Sequence, residues 1–140
     1  MNHIELFAGC GGLSLGLEKS GFELLLANEL SPMASETFAY NHLGVDLKES
    51  SSSDMSKVLW LSSQFARTDL PNRLRENPQE AAGRGDQRTS DLIDQTDSQL
   101  RRSLLVGSIK DLNDILDEDL KGLKNRLRDG FGLGGVDLVS

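Results

Sequence analysis

The chain has 140 residues, enough for one domain with a core of its own and too few for two of ordinary size. Its formal net charge of −7 divides as −5, 0 and −2 over residues 1–47, 48–102 and 103–140, so no segment is a basic stripe able to neutralise nucleic-acid phosphates by itself. A single cysteine excludes an internal disulfide framework, no apolar run reaches the length of a membrane span, and the acidic start lacks the regions of a signal peptide; the expectation is a cytoplasmic chain without membrane contact.

Ile4 to Ala8 reads as a short buried strand. It breaks into Gly9-Cys10-Gly11-Gly12, and the helix that follows carries Leu13, Leu17 and Phe22 on an interrupted apolar face and ends near Gly21. A chain that bends this sharply before a helix brings backbone N–H groups close to a ligand. Glu23 to Glu29 is a second strand, apolar without alternation, as in a parallel sheet covered on both faces. Ser31-Pro32 starts a helix, with Ser31 as cap and Pro32 in the first turn; Phe38 and Tyr40 lie in it, and it ends before Gly44.

Residues 48–102 hold 14 apolar residues in 55, a density that predicts no core element. They open on Ser50-Ser51-Ser52-Ser53 and contain Pro71, Pro78 and Gly83-Arg84-Gly85, so they read as a polar, flexible insertion. Within them, Val58-Leu59-Trp60-Leu61 reads as a small packing cluster or partner contact. Ser103 to Gly107 is a third strand. Leu112, Ile115, Leu116, Leu120, Leu123 and Leu127 recur at steps of three and four and predict one amphipathic helix from Lys110 to Arg128. Asp111, Asp114 and Asp117 come early in it and Lys124, Arg126 and Arg128 late, which suits the helix dipole; the basic run from Lys121 to Arg128 is its solvated face. Gly132-Leu133-Gly134-Gly135 is a turn, and Val136 to Val139 begins a fourth strand.

Strands alternating with helices predict an α/β fold, a partial doubly wound parallel sheet with right-handed crossovers, cut short at its fourth strand. Ligands of such sheets bind beyond the carboxyl ends of the strands, where the glycine turn, Glu29 and Gly107-Ser108-Ile109 would collect. A bound adenosine needs a flat apolar contact, an acceptor for ribose hydroxyls and close backbone approach; Phe7, Glu29 and the Gly9 to Gly12 turn could supply these in order. Phe7 alone reads equally as a core aromatic, and Glu29 alone as a solvated acid. Glu29 follows Gly11 by 18 residues, however, near the spacing of roughly 20 at which dinucleotide folds place a ribose-binding acid. The dinucleotide fingerprint itself is not met, since Ser14 stands where its third glycine belongs, so a different adenosine cofactor takes priority over a nicotinamide. His3 and His42 have no Cys or acidic partner at metal-ligand spacing and read as surface or packing residues.

The run from Phe7 to Glu18, Phe-Ala-Gly-Cys-Gly-Gly-Leu-Ser-Leu-Gly-Leu-Glu, followed by Gly21-Phe22, closely resembles the first signature of the bacterial DNA (cytosine-5)-methyltransferases. Asn28-Glu29 is similar to their second signature, Leu105-Val106-Gly107-Ser108-Ile109 to their third, and Gly134 to Ser140 to the strand that leads into their catalytic loop. The resemblance implies a Rossmann-like fold that binds S-adenosylmethionine through Phe7, Ala8, Gly9, Cys10, Gly11, Gly12 and Leu13 of the turn, Glu29 and Leu30 at the ribose, and Ser108 and Ile109 at the adenine edge. Ser108 departs from the family, which usually carries Asp there; a hydroxyl still bonds an amine, with less strength than a carboxylate.

In that family a cysteine thiolate, in a Pro-Cys pair just beyond the fourth strand, adds to a cytosine flipped out of the duplex. Pro32, Pro71 and Pro78 are followed here by Met33, Asn72 and Gln79, so the chain has no Pro-Cys, and Cys10 matches a variable cofactor-loop residue. No catalytic residue is assigned, and the glutamate signature, target-recognition domain and closing signature are absent too. The expectation is one partial methyltransferase domain: residues 1–47 bind the cofactor, 48–102 are the insertion, and 103–140 add a βα unit and the start of the fourth strand. Such a fragment is inactive alone, and a second chain carrying the remaining half would complete it and bring the DNA. The alternatives are a non-catalytic regulatory or decoy module, or a decayed gene fragment.

Overall fold

The computed structural model describes residues 1–49, 54–77 and 90–140; Ser50 to Ser53, Pro78 and Gly83-Arg84-Gly85 lie outside the described residues. Strand β1 (Asn2–Leu6) leads through the glycine turn into helix α1 (Gly12–Lys19), and β2 (Glu23–Glu29) into α2 (Pro32–Phe38), which continues as a π turn over Ala39–Leu43. Then come β3 (Val58–Trp60), two one-turn helices, α3 (Leu70–Arg73) and α4 (Asp97–Leu100), and β4 (Ser103–Val106). Helices α5 (Ile109–Glu118) and α6 (Leu123–Arg128) and strand β5 (Leu138–Val139) follow. The strands form one sheet in the order β3-β4-β2-β1-β5, and every described pairing is parallel.

The α/β doubly wound reading therefore holds, with one correction. The stretch expected to add no core element supplies β3, the edge strand, so the strand counted fourth from sequence is the fifth of the sheet. Val58, Leu59 and Trp60 are all buried, and Met55, Leu61, Leu92 and Leu100 join them in the core. A low average density of apolar residues hid a local run of four, each worth about 1.5–3 kcal/mol when fully buried. A buried ion pair closes this region: Arg73, 1% exposed, donates to both oxygens of Asp91, at 2.6 and 3.2 Å, and its guanidinium lies 5.4 Å from the centre of the Trp60 ring. Asp91 also occupies the outer edge of β3, accepting from the Trp60 N–H at 3.0 Å and donating its own N–H to the Trp60 carbonyl at 2.9 Å.

The two faces of the sheet are unlike. One packs Ile4, Leu25, Leu26, Leu59 and Leu105 against Leu112, Leu123 and Phe131, an apolar layer. On the other, Ala27, Val58, Leu104 and Val106 meet Phe38, Ala39, Val45 and Leu47. Beneath α1 the contact is polar: Ser14 is fully buried, its hydroxyl donates to Glu5 Oε2, and it lies 3.4 Å from His3 Nε2. This corrects the expected apolar face of α1, since Leu13 is 52% exposed and Ser14 faces the sheet. Burial of His3 pushes its imidazole pKa below the ordinary value, against the opposing pull of Glu5.

The single helix expected from Lys110 to Arg128 is broken. Asp119, Lys121 and Gly122 take left-handed backbone angles (φ 49, 54 and 64), and Asp119 Oδ1 accepts from the Lys124 N–H at 2.9 Å to start α6. Leu120 falls in the break and is exposed, the one apolar position in the pattern that does not turn inward. Gly122, inside an otherwise helical run, is the signal for that break. Among the described residues no helix is long and apolar enough to cross a membrane.

Candidate functional site

The carboxyl ends of β1, β2 and β4 lie side by side, because Leu6 pairs with Asn28 and Glu29 with Val106. Four backbone breaks follow directly. Phe7 (φ 55), Gly9 (φ 56) and Gly11 (φ 86) are left-handed after β1, and Gly107 (φ 146) leaves β4 with Leu61 Cβ only 2.9 Å from where a Cβ would stand. For a bulky residue such as Phe7 this conformation costs energy and is retained where the surrounding structure enforces it, often at a functional site. Phe7 is 71% exposed, so its core reading is set aside.

Asn28 and Glu29 tie the three strand ends together. Asn28 donates through Nδ2 to the carbonyls of Leu105 and Gly107, both at 3.0 Å, and its own carbonyl accepts from the Ala8 N–H at 2.9 Å. Glu29 is 9% exposed; Oε2 accepts from the Gly9 N–H and Oε1 from the Ser31 N–H, each at 2.7 Å. The strand-end acid is thus no solvated side chain: it reaches the glycine turn. Each carboxylate oxygen takes one backbone bond, which leaves acceptor capacity for a ligand hydroxyl.

Within the turn Ala8 and Gly11 are buried, Gly9 is half-buried, and Cys10, Gly12 and Leu13 are exposed. Nothing lies within 4 Å of where a Cβ would stand on Gly9 or Gly12, so a ligand could approach the backbone there. Helix α1 starts without a side-chain cap. Leu30 is half-buried just past β2; Ser108 caps α5, its Oγ accepting from the Lys110 N–H at 3.1 Å, and Ile109 is half-buried beside it. The sequence-predicted residues from Phe7 to Gly12, Glu29 and Leu30, and Ser108 and Ile109, therefore occupy three neighbouring strand ends. Leu13 belongs to the first turn of α1, on its exposed side.

Strand β5 comes out at the same edge. The Leu6 N–H donates to the Ser140 carbonyl at 2.7 Å, and the Ser140 N–H to the Ile4 carbonyl at 2.9 Å, which sets Ser140 beside the start of the glycine turn. Both histidines are buried packing residues rather than surface ones, and no group of three His, Cys, Asp or Glu among the described residues is placed to hold a metal ion. The polar set His3, Glu5 and Ser14 escaped the sequence reading, although its signal was there: β1 alternates His3 and Glu5 with Ile4 and Leu6, so a strand with two covered faces must bury both polar residues.

Comparison with known proteins points the same way. The family described as C-5 cytosine-specific DNA methylase matches residues 1–70, half of the chain. The type II methyltransferase M.NgoPII of Neisseria gonorrhoeae is 55% identical over 42 residues, 30% of this chain and 12% of that protein. M.FnuDI of Fusobacterium nucleatum is 39% identical over 61 residues, 41% of this chain and 18% of that protein. M.DdeI of Desulfomicrobium norvegicum is 45% identical over 47 residues, 34% of this chain and 11% of that protein. The matched stretches thus span less than a fifth of each of these relatives. No solved structure matches.

Proposed function

The chain belongs to the C-5 cytosine-specific DNA methylases, and from that premise we propose that it is the cofactor-binding, amino-terminal portion of such an enzyme, acting in the cytoplasm. S-adenosylmethionine is the ligand. The observation that carries this reading is the 2.7 Å bond from the Gly9 N–H to Glu29 Oε2, which joins the glycine turn to the acid of the second strand. Glu29 has lone pairs left for ribose hydroxyls, the exposed Phe7 ring offers a flat face to adenine, and open space over Gly9 and Gly12 admits the rest of the ligand. Cys10 and Leu13 would flank that space, Leu30 would border the ribose, and Ser108 and Ile109 would meet the adenine edge.

When bound, the sulfonium of this cofactor supplies a methyl group; the residues of this chain hold and orient it. Transfer to cytosine needs a nucleophile that the chain does not present in a Pro-Cys pair, and Cys10, the single thiol, lies in the cofactor turn. Alone, the chain transfers no methyl group to DNA. The rest of such an enzyme, on this polypeptide or on a second chain, would supply the Pro-Cys loop and the DNA contacts; a second chain would meet this one beside Ser140 on the outer edge of β5, where Val139 is exposed.

Calorimetric titration with S-adenosylmethionine, alone and with a candidate second chain, tests the reading. Binding that weakens at least tenfold in Phe7→Ala, with thermal stability retained, is the expected result. Methylation of DNA by this chain without a partner would overturn the division of labour, and absence of cofactor binding in both settings would leave a non-catalytic module in its place.

A further inference from the structure

Gly11 is the buried member of the glycine turn, and its open side is filled from outside the turn. A Cβ there would overlap the His42 imidazole and lie 3.0 Å from Phe38 Cδ2. His42, 8% exposed, stacks on Phe38 with ring centroids 4.6 Å apart and planes inclined by 28°. Its other nitrogen, Nδ1, is 3.7 Å from Glu18 Oε2 in the last turn of α1. Arg102 closes the group, 3.4 Å from Glu18 Oε1 and donating to the His42 carbonyl at 3.1 Å.

We propose that His42 is a positioning residue for the glycine turn: its ring, stacked on Phe38 with Glu18 behind it, puts its Nε2–Cδ2 edge as a wedge into the volume beside Gly11 and so holds the turn in the conformation that leaves the Gly12 backbone open to the cofactor. The proposal rests on the cofactor reading above. Three glycines in four residues have little conformational preference of their own. Glu29 holds the Gly9 N–H at the start of the turn, but Gly12 has open space beside it and α1 begins with no side-chain cap, so no such bond from a side chain fixes the Gly11 end. Inside the turn the Gly11 N–H donates to the Ala8 carbonyl at 2.9 Å, and the Gly11 carbonyl accepts from the Leu15 N–H at 3.1 Å. Both bonds are made with Gly11 at its left-handed angle, and His42 fills the volume beside it. The ring meets Gly11 with its Nε2–Cδ2 edge, in space that only a residue without a side chain leaves free; Phe38 fixes the plane of that ring, and Glu18 with Arg102 closes the group behind it.

The test uses the full chain labelled for NMR, with amide hydrogen exchange read at Gly11 and Leu15 and S-adenosylmethionine affinity read from the amide shifts of the turn. His42→Ala is expected to speed exchange at both sites by about tenfold or more and weaken the cofactor at least about fivefold, while the β4 amides of Leu104 and Leu105 stay protected. His42→Phe restores a flat ring and should bring both readouts back to within about twofold of the parent. Where His42→Ala loses protection throughout, His42→Leu, which fills the volume without a flat face, is read by the same two criteria. Parent-like exchange and affinity in the variant without a ring would overturn the wedge, as would a failure of His42→Phe to restore them. A parent chain that shows no cofactor shifts defeats the cofactor reading instead, and the exchange comparison then decides the wedge alone.

Discussion

Two of the nearly buried carboxylates, Asp91 and Glu29, have opposite surroundings. Asp91, at the β3 edge, faces an arginine that takes both its oxygens, and one of those oxygens also accepts the Trp60 N–H. Glu29, at the end of β2, faces only two backbone N–H groups, one per oxygen. The charge of Asp91 is neutralised within the fold and its acceptor capacity is largely committed. Glu29 is oriented but not neutralised, with room for another donor beside an open glycine turn. Burial alone does not distinguish the two acids; unspent hydrogen-bond capacity in a fixed orientation does, and the proposed cofactor role of Glu29 draws on it.

The comparison is broken most strongly at Asp91. Asp91→Ala leaves a 1% exposed guanidinium without its counter-ion, and loss of one partner of a buried pair costs about 3–5 kcal/mol. Urea unfolding followed by the fluorescence of the chain's one tryptophan, Trp60, reads this directly. Replacing both partners, as Arg73→Leu with Asp91→Leu, should recover much of the loss, because a buried apolar pair carries no desolvation penalty. Neither change should alter cofactor affinity in protein that remains folded.

Ser14→Ala tests a third buried carboxylate, Glu5, which sits behind the glycine turn rather than in front of it. Removing the hydroxyl takes away the donor that Glu5 Oε2 accepts from, and an unsatisfied buried acceptor costs about 1–3 kcal/mol. The drop in the thermal midpoint checks it. Glu29→Gln comes next. It keeps the shape of the side chain but turns one oxygen into an NH2 group, which confronts the Gly9 or Ser31 N–H with a second donor. Cofactor affinity should fall about tenfold, or ~1.4 kcal/mol, measured by calorimetry.

The glycine turn, β2, the Ser31-Pro32 start of α2 and the strand end at Gly107 were legible because each rests on local chemistry: backbone freedom, a cap, a fixed φ, an unbroken apolar run. The strand-end placement of Glu29 followed from parallel topology. What stayed hidden depends on pairs distant in sequence. Val58 to Trp60 becomes a strand only because β4 lies beside it and Arg73 and Asp91 cover its other edge. Averaging polarity over residues 48–102 erased that local run. The α1 face was misjudged because the apolar positions were taken to point inward, whereas Glu5 and His3 require a hydroxyl there, and Ser14 supplies it. His42 could not be paired with Gly11 from sequence at all, since the contact joins a turn to the far end of the following helix pair.

The smallest expected effect concerns pH and lies at the back of the same turn. His3 is buried against Ser14, with its ring edge toward Phe22 at 6.2 Å between centroids. Burial lowers its pKa from 6.5; Glu5, a backbone bond to Glu23 and Glu18 raise it in part, and His42 opposes them. The unfolded chain therefore binds more protons than the folded one between pH 6.5 and the lowered folded value. Stability from the neutral ring is complete above that window and is lost as the pH falls through it. Thermal midpoints recorded from pH 7 to pH 5 should decline in the parent chain, with a shallower decline in His3→Phe, which keeps an aromatic ring against Phe22 and removes the titrating group. An equal decline in both would show that His3 is not its source.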